Sequence, residues 1–277
     1  MSPSIAIIGL GRMAQAILLP LLENGDIAAG QVLGVVKKKE SVKKLADKLP
    51  NGVIIVPSDS KDAKEAWEAP LKLLAVKPQQ LRTVQNDLAN IQTLIEPKAS
   101  GTILVSILAG VKLAKLQNTF PDFLCVRAVP NAPSLVGEGL TGLSWGSQLN
   151  DVQIQKIKEI FHSMSEVFEL PEDQLDAFLG LTSSGPAYIA LIAEALADGA
   201  VAAGLPRKLA LNLASKTISG TAKLLQAMDS HPGELKDMVA SPAGTTIAAL
   251  RHLEMSGVRS AFIEAVVVAS ERSRQLS

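Results

Sequence analysis

Aromatic residues are scarce: they make up 3% of 277 residues, so the apolar 47% that must build any core is mostly Ala, Val, Leu and Ile. Cys125 is alone, which excludes an internal disulfide and a small disulfide-stapled fold. Lying in an apolar run, it reads as a buried structural thiol. Neither charge sign is in excess, with 27 Lys and Arg against 27 Asp and Glu. That balance gives no general pull toward polyanions, so no nucleic-acid or membrane partner is expected. His162, His231 and His252 are scattered without metal-ligand spacing, so no metal is expected. The opening "MSPSIAIIGLG" has no basic leader and its apolar run stops at Gly9, too short for a signal peptide or anchor. The expectation is a soluble, cytoplasmic protein with room for one large domain or two ordinary ones.

What is present begins with Ile5-Ala6-Ile7-Ile8, a buried-strand run, followed directly by Gly9-Leu10-Gly11-Arg12-Met13-Ala14 and then the helical "QAILLPLLENG". Strand, glycine turn and helix in that order have a purpose. Gly9 allows the turn, Gly11 lets backbone approach a pyrophosphate, and small Ala14 lets helix and strand pack closely. The phosphate charge then meets the free N–H groups of the helix start. A bare glycine-rich turn would look similar, but the position after a strand and before a helix favours a dinucleotide site. The next strand, "QVLGVV", runs not into an acid for a ribose 2′-hydroxyl but into Lys37-Lys38-Lys39. Three ammonium groups suit the 2′-phosphate of NADP(H), although a solvated turn also accounts for a lysine run.

Apolar runs "GVIIV", "LKLLAV", "GTILVSI" and "FLCVRAV" alternate with helix-compatible "ESVKKLADKL" and "QLRTVQNDLANIQTLI". The alternation predicts an α/β fold with a doubly wound, mainly parallel sheet. Loops at Lys77-Pro78, residues 107–110 and residues 126–139 follow strands, at the edge where open sheets bind ligands. Strand signals stop past residues 166–176, which places a boundary near Leu170: a dinucleotide-binding domain over 1–170 and an all-helical domain over 171–277. Its first long helix starts at Gly185-Pro186, stops at Gly204 and is apolar nearly all round, with only Glu194 and Asp198 marking a polar line. Those acids argue against a membrane span. Helices so apolar need covering, which predicts a dimer through this domain.

Residues 238–250, "MVASPAGTTIAAL", interrupt the helical sequence. The preceding helix, "HPGELKDMVA", takes Ser230 as a plausible N-cap, and Pro242 stops it. Gly244 permits a bend, and Thr245 or Thr246 caps the helix that ends near Gly257. Open N–H groups flanked by the hydroxyls of Ser241, Thr245 and Thr246 would make an anion pocket; a capped helix–loop–helix with no ligand fits the local sequence as well.

Together "GLGRMA", "AVKPQ", "VRAVPNAP", "SSGPAY", "GLPRKLA", "HPGELKDMVASPAGTTIAALRHLE" and "AVVVASERSRQL" resemble pyrroline-5-carboxylate reductases from Ile5 to the C-terminus, most specifically over His231–Glu254. The resemblance implies reduction of the cyclic imine L-1-pyrroline-5-carboxylate to L-proline with NADPH or NADH, the last step of proline biosynthesis. It implies an N-terminal Rossmann domain and a helical dimerisation domain, assembled as a homodimer or a pentamer of dimers. By the same resemblance the cofactor is lined by Ile8, Gly9, Leu10, Gly11, Arg12 and Met13, by Ala75, Val76, Lys77 and Pro78, and by Ile107, Leu108 and Ala109. Gly244, Thr245 and Thr246, with Ser241 beside them and Glu172 near the proline site, would hold the substrate; Thr246 is the catalytic candidate through its hydroxyl. Three positions depart from the family pattern: Ser183 and Ala243 stand where glycines are usual, and Ser60 or Asp62 where an asparagine faces the cofactor. Two rival readings are a 2-oxo or 3-hydroxy acid reductase, for which Lys208 and Asn212 have the required one-turn spacing, and a non-enzymatic dinucleotide sensor.

Overall fold

A computed structural model describes residues 3–92, 101–146 and 149–276. The end of the expected helix "QLRTVQNDLANIQTLI", residues 93–95, lies outside the described residues. In chain order the first half runs β1 (Ile5–Ile8), α1 (Arg12–Glu23), β2 (Val32–Val36), α2 (Lys39–Ala46), β3 (Ile54–Pro57), α3 (Ala63–Glu68), β4 (Leu71–Leu74), α4 (Leu81–Gln92), β5 (Ile103–Ser106), α5 (Leu113–Thr119) and β6 (Leu124–Val129). It continues with β7 (Gly139–Trp145), α6 (Asp151–His162), β8 (Ser165–Glu169) and α7 (Leu175–Thr182). The helices α8 (Gly185–Ala202), α9 (Arg207–Met228), α10 (Pro232–Met238), α11 (Thr245–Met255) and α12 (Val258–Gln275) complete the chain.

The eight strands order as β3-β2-β1-β4-β5-β6-β7-β8, with β1 to β6 all parallel. This is the expected doubly wound sheet, and its strand order reverses between β1 and β4. Buried on both faces, β1, β2, β4 and β5 are almost wholly apolar, as central parallel strands tend to be, with Lys72 and Ser106 the polar exceptions. One core lies on each side: Ile17, Leu18, Leu73 and Phe161 on one, Trp67, Leu104, Phe120 and Cys125 on the other. The strands β7, antiparallel to β6, and β8 extend the sheet where no strand was expected.

The chain divides into two compact units, residues 1–183 with 269–277, and residues 184–268. In the first, a buried charge cluster ties distant segments together. Arg127, on β6 and 1% exposed, places Nη1 3.3 Å from Glu172 Oε1 and Nη2 3.1 Å from Asp176 Oδ1. Glu172 Oε1 also accepts the Leu113 N–H at 2.6 Å, and Asp176 Oδ1 the Ser273 hydroxyl at 2.7 Å. Asn131, buried at the end of the same strand, donates to Thr182 O and accepts from the Leu140 N–H. Thus much of "VRAVPNAP" is framework.

In residues 184–268 the buried apolar residues are only Ala197, Ala210, Ala214 and Leu235, whereas Ile189, Leu191, Leu196, Ile247 and Ile263 are exposed. The helices have the expected positions but no core adequate to hold them. Asp198 pairs with Arg207, which accounts for one of the two acids on α8. Among the described residues one helical stretch, Glu172–Ala202, is long and apolar enough to cross a membrane.

Replacing Arg127 by Leu would leave two carboxylates facing each other without a counter-charge. The expected loss is about 3–5 kcal/mol in urea unfolding; a loss below about 1 kcal/mol would mean that the cluster is solvated. Cys125 gives a pH signature. Burial pushes its thiol from 9.0 up to about 12, so the native state keeps a proton that the unfolded state releases. Its stabilising contribution is complete below pH 9 and declines as pH rises toward about 12. Alkaline unfolding curves of Cys125→Val should therefore fall less steeply above pH 9 than those of the parent.

Candidate functional site

The reversal of strand order leaves a crevice at the carboxyl ends of β1 and β4, and Gly9 forms its floor. The Gly9 N–H donates to Val35 O at 2.9 Å, its φ is +96°, and a Cβ there would lie 2.8 Å from Ala75 O. Only glycine fits. Gly11, two residues on, has open space where its Cβ would be and serves as N-cap of α1 without a side-chain cap. The first N–H groups of α1 are therefore left for an anion.

Around this turn lies a cavity of about 310 Å³. It brings together Ile8, Gly9, Leu10, Gly11, Lys37, Ala75, Val76 and Lys77 from the expected cofactor set. To these the structure adds Ser41, Ser58, Thr83 and Asp87, separated by up to half the domain in sequence and invisible as a motif. Arg12 and Met13 form the first turn of α1 beside it. Pro78 and Ala109 line a second cavity of about 710 Å³, with Lys112 and Leu276. Leu108 is buried, with its N–H on Ser106 Oγ, and the Ile107 N–H bonds Leu74 O, so this loop offers mainly backbone. Of the lysines, Lys37 reaches the first cavity and lies 3.5 Å from Asp87 Oδ1; Lys38 is the N-cap of α2, and Lys39 pairs on the surface with Asp59. Ser60 and Asp62 bond to each other and do not line the cavity. An enclosed glycine turn with no room for a Cβ, an uncapped helix start and a lysine at the end of β2 together fit a dinucleotide.

The start of α11 differs from expectation in two respects. Its N-cap is Gly244, with no side-chain cap, and Thr245 and Thr246 are the first two helical residues. The threonines leave the helix-start N–H groups open instead of closing them. The bend is made by Ala243, which takes the left-handed φ of +56°, while Gly244 has an ordinary extended backbone. Gly244 is needed for another reason: a Cβ there would lie 2.3 Å from Ser241 Oγ. Ser241, Gly244, Thr245 and Thr246 thus form one tight turn at one helix end. Upstream, His231 and not Ser230 caps α10, its Nδ1 accepting the Gly233 N–H at 3.0 Å. Pro232 at the first helical position leaves that donor next in line.

Glu172 belongs to the other unit, where Oε1 serves Leu113 and Arg127; its side chain is 30% exposed and lines a cavity of about 400 Å³ with Ser144 and Trp145. Ser183, where a glycine is usual, has an ordinary helical backbone (φ −86°), so the serine costs nothing there. Lys208 and Asn212 both sit in the first two turns of α9, and Lys208 is exposed.

Two substitutions separate the roles in the α11 turn. Ala243→Gly removes the left-handed penalty and should raise stability by about 0.5–1 kcal/mol. Gly244→Ala forces Cβ into Ser241 and should lower it by about 1–3 kcal/mol. Urea melts giving the opposite order would contradict the turn geometry.

The family description "Pyrroline-5-carboxylate reductase dimerisation" matches residues 172–276, and "NADP oxidoreductase coenzyme F420-dependent" matches residues 4–110. A pyrroline-5-carboxylate reductase from Synechocystis is 42% identical over 276 residues, covering 100% of this chain and 99% of the relative. A pyrroline-5-carboxylate reductase structure from Coxiella burnetii superposes with TM-score 0.85 at 30% identity, covering 100% and 99% of the two chains. The Plasmodium falciparum enzyme solved with NADP bound gives 0.84 at 27% identity, covering 99% and 98%. The bare apolar helices belong to a dimerisation domain and the glycine crevice to an NAD(P)-type oxidoreductase half; the chain is a member of the pyrroline-5-carboxylate reductase family.

Proposed function

We propose that this protein reduces L-1-pyrroline-5-carboxylate to L-proline at the expense of NADPH or NADH, closing proline biosynthesis. The observation that carries the reading is the combination, in one family member, of a dinucleotide crevice with an uncapped, hydroxyl-flanked helix start. Functionally, residues 1–170 serve the coenzyme, and residues 171–277 serve substrate and self-association.

When bound, the coenzyme supplies the hydride. The protein's own task is to orient and polarise. The N–H groups of Thr245 and Thr246 at the α11 start hold the substrate carboxylate, helped by the helix dipole. The Thr246 hydroxyl touches the ring nitrogen or carboxylate; an imine carbon is most electrophilic when its nitrogen is protonated or hydrogen-bonded. Ser241 supports the turn from within, and Glu172 contributes near the same substrate. Gly9 and Gly11 admit the pyrophosphate, the loops at 75–78 and 107–109 the rest of the coenzyme, and Lys37 the 2′-phosphate, with Lys38 and Lys39 adding positive charge from outside the cavity. Holding the two reactants aligned turns their encounter into an effectively unimolecular step.

The exposed apolar helices, together with the dimerisation match, support a homodimer as the occupant of that surface in preference to a lipid phase. A pentamer of dimers and a cytoplasmic location complete the reading, with no nucleic-acid, metal or membrane requirement.

Mixing protein, NADPH and pyrroline-5-carboxylate should give loss of reduced-coenzyme absorbance with matching formation of proline. Turnover of a 2-oxo or 3-hydroxy acid instead, or coenzyme binding without turnover, would favour the two rivals. Thr246→Val is expected to cut kcat about a hundredfold while leaving NADPH affinity unchanged; collapse of NADPH binding would remove Thr246 from the substrate site. Lys208→Ala should leave activity intact, since a lysine at a helix start next to Pro206 is a poor catalytic group; loss of activity would favour the hydroxy-acid rival.

A further inference from the structure

The acid of one ion pair in the coenzyme cavity has no part in the reading above. Lys37 and Asp87 both line that cavity, with Nζ and Oδ1 3.5 Å apart. Asp87 comes from α4, where it shares a helix face with Thr83 and Val84, and all three line the same cavity. Its side chain is 24% exposed against 57% for Lys37, so the carboxylate is the more enclosed partner. Lys39 is engaged elsewhere with Asp59, and Lys38 does not line the cavity. Of the three lysines, Lys37 is the one that lines the cavity, and its acidic partner Asp87 lines it too.

We propose that Asp87 is a specificity-determining residue for the coenzyme: it competes with a 2′-phosphate for Lys37 and so holds down the preference for NADPH over NADH. This rests on the reading that the end of β2 receives the 2′ position of a dinucleotide. Dinucleotide folds that take NAD use a carboxylate to accept the ribose 2′-hydroxyl, usually at the end of the second strand. Here that strand ends in lysine, and the carboxylate arrives from α4. The chain thus has both determinants in one cavity: an ammonium for a phosphate and an acid for a hydroxyl. A 2′-phosphate carries nearly two negative charges, so it is repelled by Asp87 and must draw Lys37 away from it. A free 2′-hydroxyl has no such conflict and can donate to the carboxylate.

The test is the dissociation constant of NADPH and of NADH for the parent enzyme, Asp87→Asn, Lys37→Met and the double variant. Asp87→Asn should raise the NADPH-to-NADH affinity ratio roughly three- to tenfold, with Asp87→Ser moving it the same way. The gain should shrink when Lys37 is Met, because only the part due to competition for Lys37 is then lost. Parallel changes for both coenzymes, as a contact with the shared adenine or a loosened fold would give, overturn the proposal, as does an unchanged ratio. If Lys37→Met lowers the ratio while Asp87→Asn leaves it alone, the inference about Asp87 alone falls. If Lys37→Met leaves the ratio unchanged, the placement of the 2′ position itself falls, and the proposal with it.

Discussion

Everything in the coenzyme half depends on how closely the end of β1 is packed between its neighbours. Gly9 bonds to β2 through Val35 O and faces the end of β4 so closely that a single carbon would collide with Ala75 O. The clearance fixes where the chain turns, and the turn fixes where α1 begins. Because α1 begins at an uncapped Gly11, its N–H groups face the crevice. A steric constraint smaller than a methyl group thus determines an electrostatic property of the site.

Around that turn the two units solve opposite problems. The sheet has a core on both faces and can carry charge inside it, provided the charge is satisfied. Arg127, Glu172 and Asp176 do this, joining β6 to the start of α7 and, through Ser273, to the end of α12. The helical unit buries almost nothing apolar by itself. In a dimerisation domain this is economical, since the surface left bare by one chain is covered by a copy, at the cost of independence for each chain.

The legible parts of the sequence were those whose chemistry is local. "GLGRMA" after Ile5–Ile8 specifies turn and helix start within ten residues, and the central strands are apolar at nearly every position, Lys72 on β4 and Ser106 on β5 excepted. Ser230 is by residue type the better N-cap for α10, yet the imidazole of His231, one residue on and directly before Pro232, takes that place. β7 is hard to read from sequence because Gly139, Thr141 and Gly142 have the composition of a turn, and β8 because "SEVFE" is a half-exposed edge strand. The cap and bend around Gly244 were interchanged because local sequence shows which residues tolerate a bend, not which one takes it: Ala243 does, against its preference. The Arg127 cluster and the Lys37–Asp87 pair join residues about fifty apart, so no window of sequence contains them.

The most direct measurement is a crystal structure of the complete oligomer with NADPH-site coenzyme and proline both bound. The expected result is a proline carboxylate hydrogen-bonded to the Thr245 and Thr246 N–H groups, with the coenzyme pyrophosphate on the turn at Gly9–Gly11. Proline bound away from the start of α11, or a pyrophosphate away from the α1 N-terminus, would contradict it.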